Sequence, residues 1–257
     1  MKFDLFYKIL IYIYIILQFD SVLSSSILCT ICNNPLSQTF SIDAWGNKFH
    51  SHHEKEGIFC HSCSRIISKS VTNGGYIYHD GRHMCSLCTA TAINKNSSIL
   101  NSYNHVINQL KEVGIIINDK LLNIELSNIQ TLQKSAKYLS HSKLKGFTKI
   151  NLTNTKNKYQ IFILSGLPKI EFEAVLAHEL LHIWIFQNKV TLNRESEEGF
   201  CELGRYLIYT NDGTYFSIIH LKAMDNNQDP IYGLNYHKYK SKLLTIGWEK
   251  LILNIMN

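Results

Sequence analysis

The residues best equipped for chemistry lie in Ala177-His178-Glu179-Leu180-Leu181-His182-Ile183-Trp184, where two histidines and a glutamate stand in a His-Glu-x-x-His pattern. On a helix His178 and His182 share a face, so their imidazoles can hold one zinc ion. Glu179, next to the first ligand, can then take a proton from a metal-bound water. A catalytic zinc needs a third protein ligand and an open position. The segment Ser196-Glu197-Glu198-Gly199-Phe200-Cys201-Glu202 offers that ligand as a carboxylate, and Glu202, one helical turn beyond Glu198, could instead orient a ligand histidine from behind. The bland alternative places these glutamates in a solvated first helical turn, where acids favour the dipole.

Two helices must position this set. From Ile170 to Gln187 there is no Gly or Pro and apolar residues fall all round, which predicts a buried helix. A second helix is expected from Ser196 through Tyr209. Glu-Gly-Phe at Glu198-Gly199-Phe200 resembles the third-ligand motif of gluzincin peptidases, which implies Glu198 as ligand, Glu197 as the fallback, and a glycine that allows close helix packing. Upstream, Ser97 or Ser98 is expected to cap a helix carrying Ile99, Tyr103, Val106, Leu110 and Val113 and ending before Gly114. Strands are expected at Leu122 to Leu126, Phe147 to Leu152 and Tyr159 to Leu164. The run Gln160 to Leu164 is taken as the sheet edge that would align an extended peptide, with a buried core strand as the equal alternative.

Six of the seven cysteines form Cys29-x-x-Cys32, Cys60-x-x-Cys63 and Cys85-x-x-Cys88, with His50-x-x-His53 between the first two pairs. Four such pairs make two closed tetrahedral zinc sites: Cys29, Cys32, His50 and His53 for one, and Cys60, Cys63, Cys85 and Cys88 for the other. A disulfide framework is the competing account, but it leaves the interleaved histidines unexplained. The segment resembles a LIM domain through Gly46-Asn47-Lys48-Phe49-His50 and through Asp80-Gly81-Arg82 before the last pair. His53 stands where that family more often has Cys, and His52 is its neighbouring substitute. Cys201 is expected to pack inside its helix, because no local device makes it a reactive thiolate.

Residues 27–92 are therefore expected to form a LIM-like double zinc module, and 93–257 a compact gluzincin-like zincin domain, an α+β fold overall. The whole set is similar to the plant organ-size LIM peptidases, the DA-one family, and their bacterial relatives. The shared stretches include Ser165-Gly166-Leu167-Pro168, the His-Glu-x-x-His helix, Glu197 to Cys201, and Asp229-Pro230-Ile231-Tyr232-Gly233. That resemblance implies a zinc endopeptidase acting on proteins, with one catalytic and two structural zinc ions, His178, His182 and a following glutamate as ligands and Glu179 as base. An oxyanion donor is also needed. Tyr232 is the first choice, ahead of His220, Tyr236 and His237.

Residues 1–26 read as a signal peptide. Lys2 and Lys8 precede the apolar run Ile9 to Leu17, shorter than the roughly 20 residues that span a bilayer, and Ser24 to Ser26 supply a cleavage region. Secretion is the expectation and a membrane anchor the alternative; this is the departure from the plant relatives, which work inside the cell. Asn96 and Asn151 stand in glycosylation sequons. A net charge of +6 without Lys/Arg blocks excludes a nucleic-acid footprint. The partner expected is a protein or peptide substrate, with a further protein partner open to the LIM-like module. Two other functions compete: a non-catalytic zinc-stabilised adaptor on a zincin scaffold, and a hydrolase of non-protein amides.

Overall fold

The computed structural model describes residues 27–135, 144–152 and 158–257. The expected leader, and the turn between the second and third strands including Thr153 of one sequon, lie outside them. Within the described residues no helix is long and apolar enough to cross a membrane. The chain divides into two compact units at Gly57/Ile58. That division differs from the boundary expected after residue 92: the Cys60–Cys88 pairs group with the helices that follow, not with the Cys29–His53 pairs.

In the first unit, β1 (Ser41–Ile42) pairs antiparallel with β2 (Lys48–Phe49), and the short helix α1 (Ser51–Glu56) follows. Asp43 closes the β1–β2 turn by accepting from Trp45 N at 2.9 Å and Asn47 N at 3.0 Å, with Gly46 at φ +82°.

The second unit opens on α2 (Lys69–Thr72), then β3 (Gly75–Ile77) against β4 (His83–Cys85), then α3 (Ser86–Thr89). The helix α4 (Ile99–Glu112) buries Val106 and Leu110, as its spacing predicts. Its expected serine cap is absent: Asn96–Ser98 forms a 3-10 turn, and Ser98 is already helical with no side-chain cap bond. A continuous turn leaves Ser98 without the extended backbone that capping needs.

Three strands form one sheet in the order β5 (Leu122–Ser127), β7 (Lys158–Leu164), β6 (Gly146–Asn151), with the helix α5 (Ile129–Ser135) after β5. β7 runs parallel to β5 and antiparallel to β6, with Ile161 opposite both Ile124 and Thr148. The Gln160 to Leu164 run is thus the central strand, and the expectation that it is the edge is corrected. Tyr159, Ile161 and Ile163 bury one face of it, while its two edges pair with β5 and β6. The edge beside the candidate site is β6.

Four helices complete the unit: α6 (Lys169–Gln187), α7 (Arg194–Asp212), α8 (Tyr215–Asp225) and α9 (Leu234–Met256), the last broken at Gly247. α6 is buried on every side from Glu171 to Leu181, which is why it shows no polar face in sequence. α7 begins two residues before Ser196, capped by the Asn193 side chain, which accepts from Ser196 N at 2.9 Å. Gly204 brings α7 against α6: a Cβ there would meet the Ala177 backbone at 2.8 Å. Gly199 does the same toward α9, where a Cβ would stand 2.4 Å from Asn235 Cβ.

Candidate metal centre and cleft

On α6, His178 and His182 lie one turn apart, and α7 delivers Glu198 to them. The two Nε2 atoms are 3.3 Å apart, and Glu198 Oε2 is 3.3 Å from one and 3.6 Å from the other. A tetrahedral ion with bonds of about 2.0–2.1 Å separates its donors by about 3.3 Å, so the triangle has the right size for one. His178, His182 and Glu198 could together hold a metal ion. Glu197, the fallback ligand, turns elsewhere: its Oε1 sits 2.8 Å from His182 Nδ1. Glu202 Oε1 lies 3.2 Å from His178 Nδ1, at ion-pair distance although that N–H is not well aimed for a hydrogen bond. Each histidine therefore has a carboxylate behind it, leaving Nε2 for the ion.

The charges agree with the geometry. Burial raises the carboxyl pKa of Glu198, but hydrogen bonds from His178 and His182 outweigh it and hold the group well below the usual range. Burial lowers the imidazole pKa of His178, yet Glu198 and Glu202 lift it to about 9. Buried imidazoles among carboxylates that demand positive charge suit a divalent cation.

Glu179 is buried and does not join the triangle. Thr148 Oγ1 on β6 donates to its Oε2 at 2.7 Å and to its backbone oxygen at 3.1 Å. A Cβ on Gly146 would come within 2.5 Å of Glu179 Oε1, so glycine there makes room for the carboxylate. Burial pushes the Glu179 carboxyl up. Cys201 is fully buried, its thiol raised by burial to about 12, and it packs inside its helix as a neutral group.

His178, Glu179, His182 and Glu198 line a cleft of about 1050 Å³, together with β6, His61 and Ser62 of the second unit's first cysteine pair, and Tyr232, Tyr236 and His220. Tyr232 is presented by a tight loop: Asp229 Oδ1 accepts from Ile231 N at 2.9 Å and Tyr232 N at 3.0 Å. The other oxyanion candidates are engaged differently. Tyr236 donates to Asp225 Oδ1 at 3.2 Å, His237 Nε2 faces Met224 O at 3.3 Å and is absent from the cleft lining, and His220 packs on Tyr209 and Phe216. Burial lowers His220 to about 4.

No disulfide joins the cysteines in the structure. Cys60, Cys63, Cys85 and Cys88 are all buried and their sulfurs cluster, with Cys63 Sγ and Cys85 Sγ 3.7 Å apart. Zinc–thiolate bonds of about 2.3 Å imply about 3.8 Å between sulfurs. In the first unit Cys29, Cys32, His50 and His53 gather, and His52 does not join them. His50 spends Nε2 on Pro35 O at 3.1 Å and turns Nδ1 toward Cys32 Sγ at 3.6 Å. Backbone N–H groups of Cys32, Ile31 and His50 overcome burial to bring the Cys29 thiol to about 6. Both groups could bind a metal ion.

What sequence reasoning missed is the seam between the cysteine module and α6. Ser62 Oγ and Lys145 Nζ both donate to the fully buried Glu171, in the first turn of α6. Arg82, held by Asp80 at 2.9 Å, donates through Nη2 to Ser165 O at 2.9 Å. Gly166 accommodates the Tyr78 ring, which a Cβ would approach to 2.6 Å. Ser165-Gly166 and Asp80-Gly81-Arg82 are thus two halves of one contact, and only an unexplained acid in a buried helix, Glu171, signalled it beforehand.

Comparison with known proteins agrees with this picture in part. The model of the DA1-like family, described as Protein DA1, matches residues 120–215. Protein DA1-related 2 of Arabidopsis thaliana is 28% identical over 197 residues, 63% of this chain and 37% of that protein. Protein DA1 of the same plant is 25% identical over 193 residues, 62% of this chain and 36% of that protein. The chain spans little more than a third of the length of these relatives. No solved structure matches it. These similarities support a DA1-like relationship.

Proposed function

We propose that this protein is a zinc-dependent peptidase acting on protein substrates, with His178, His182 and Glu198 as metal ligands and Glu179 as proton carrier. The observation that carries the reading is the 3.3–3.6 Å triangle of two imidazole nitrogens and one carboxylate oxygen, with a buried, separately held glutamate beside it. Zinc bound there would acidify a water and polarise a substrate carbonyl. The chain supplies the rest. Glu197 and Glu202 fix the histidine rings from behind. Thr148 holds the Glu179 carboxylate, which takes a proton from the attacking water and returns it to the leaving amine. Among the described residues β6 ends the three-stranded order, and it lines the cleft, so its outer side suits main-chain pairing with an extended peptide. Tyr232 on the opposite loop is the donor for the developing oxyanion.

The test is hydrolysis of casein and of a panel of small amides by the purified protein and by Glu179→Gln, with zinc per chain measured in both. The substitution is expected to lower turnover by about 10²–10⁴-fold while leaving the zinc count unchanged. Hydrolysis of small amides alone would move the reading to a non-protein amide. Full zinc with no hydrolysis of anything would favour the adaptor.

A further inference from the structure

We propose that the cleft carries a second recognition region, built from His61, Lys145, Arg205 and His220, that receives an acidic side chain of the peptide substrate. This rests on the peptidase reading above and names the substrate feature that it selects.

All four residues line the cleft that holds His178, Glu179 and Glu198. They come from four separate stretches of chain, each tied down by its own contacts. His61 lies inside the Cys60–Cys63 loop, with its N–H donating to His83 O at 2.8 Å and its neighbour Ser62 bonded to Glu171. Lys145 immediately precedes Gly146, the residue packed on the Glu179 carboxylate, and pairs with Glu171. Arg205 sits on α7 one turn beyond Glu202, which it meets through Nη1 at 3.3 Å. His220 is stacked on Tyr209 with ring centres 5.1 Å apart and lies 4.3 Å from the Phe216 ring.

The chemistry of this group is one-sided. His61 Nε2, His220 Nε2 and Arg205 Nε are buried nitrogens with no hydrogen-bond partner among the described residues. The acids nearest to them are committed: Glu171 to Lys145 and Ser62, and Glu202 to His178 and Arg205. Arg205 Nε can only donate, and each imidazole donates from Nε2 in one of its two tautomers, so a ligand rich in acceptor oxygens satisfies all three at once. Lys145 and Arg205 line the same cleft and, although each is paired with one glutamate, they keep further N–H donors, which suit an acceptor-only carboxylate better than an amide or a Lys or Arg side chain. The region also gives the cysteine module a direct part in substrate selection, since His61 belongs to its first pair.

The experiment is mass-spectrometric mapping of cleavage sites in casein by the metal-loaded full chain, followed by matched peptides with Glu, Gln, Leu or Lys at the enriched position. The wild type is expected to enrich Asp or Glu at one fixed position near the scissile bond, with kcat/KM for the Glu peptide about tenfold above the Leu peptide. His61→Ala and His220→Phe are each expected to bring that ratio to about one, chiefly through KM, with zinc content and melting temperature as controls for folding. Phe at position 220 keeps the stack on Tyr209 and removes only the nitrogens. Cleavage with no acidic enrichment, or an enrichment that survives both substitutions in folded protein, would overturn the subsite while leaving the peptidase reading intact. Failure of the wild type to cleave any peptide would instead remove that reading.

Discussion

The two Cys/His groups begin alike and end differently. In each, the first pair closes a tight loop through the same bond, Asn33 N to Cys29 O and Ser64 N to Cys60 O, both at 2.9 Å, with Asn33 and Ser64 in the left-handed region. Beyond that loop they diverge. The Cys29 group takes His50 from the residue before one short helix and His53 from within it, and leaves Cys32 exposed. The Cys60 group buries all four sulfurs, and its loop residues form part of the cleft wall and bond to the start of α6. One motif thus serves in one place as a staple for a small unit, and in the other as a component of the candidate catalytic unit. Ligand spacing alone does not distinguish the two.

The strongest way to break this comparison is to remove one sulfur from each group. Apparent binding energies of structural zinc, about 10–16 kcal/mol, match or exceed the whole stability of an ordinary domain. Cys85→Ser is therefore expected to abolish cooperative melting of residues 58–257 and, with it, peptide hydrolysis. Cys29→Ser should leave that transition within a few degrees of wild type by calorimetry. Equal damage from both would end the distinction.

A smaller effect sharpens it. Glu171→Gln leaves Lys145 without its buried partner and is expected to cost about 3 kcal/mol in urea unfolding. In the first unit, Glu54 accepts from Ser41 Oγ at an exposed site, and Glu54→Gln should cost no more than about 0.5 kcal/mol.

An effect of comparable size, read against pH, is acid sensitivity. His220 has its folded pKa lowered from 6.5 to about 4, by burial first and then by Lys145 and Arg205. A depressed value means that the native state prefers the neutral ring, so the contribution is complete above pH 6.5 and is lost as pH falls from about 6.5 to 4. The slope is at most about 1.4 kcal/mol per pH unit. His220→Phe should flatten the melting temperature of the second unit across that window.

Much of the candidate centre was legible in the sequence because its elements are local. His178, Glu179 and His182 share one turn and a half of helix, and Glu198 follows within one loop. The helix spans were legible for the same reason: α6 lacks any breaker, and the α4 spacing repeats cleanly. The sheet order was not, since alternation in Lys158–Leu164 marks a strand but not the number of its partners. The grouping of the Cys60–Cys88 pairs with the later helices was not legible either. The sequence does not reveal the bonds that Arg82 and Ser62 make with Ser165 and Glu171, or the packing of Tyr78 at Gly166, because nothing local records a contact across that distance. His61 and His220 carry no motif at all, and only the folded chain brings them to one wall.

The seam at the start of α6 also bears on how the chain reaches its native state. Ser62 and Glu171 are separated by 109 positions, and Arg82 and Ser165 by 83. Contacts of such span make folding slow, since a large loop must close before they form. The cysteine pairs leave the ribosome first, and a metal-loaded Cys60–Cys88 module offers a finished surface on which the N-terminal turn of α6 docks. Ion loading would then gate the folding of the unit: refolding in chelator is expected to stall before the two histidines meet Glu198, and adding zinc to release it.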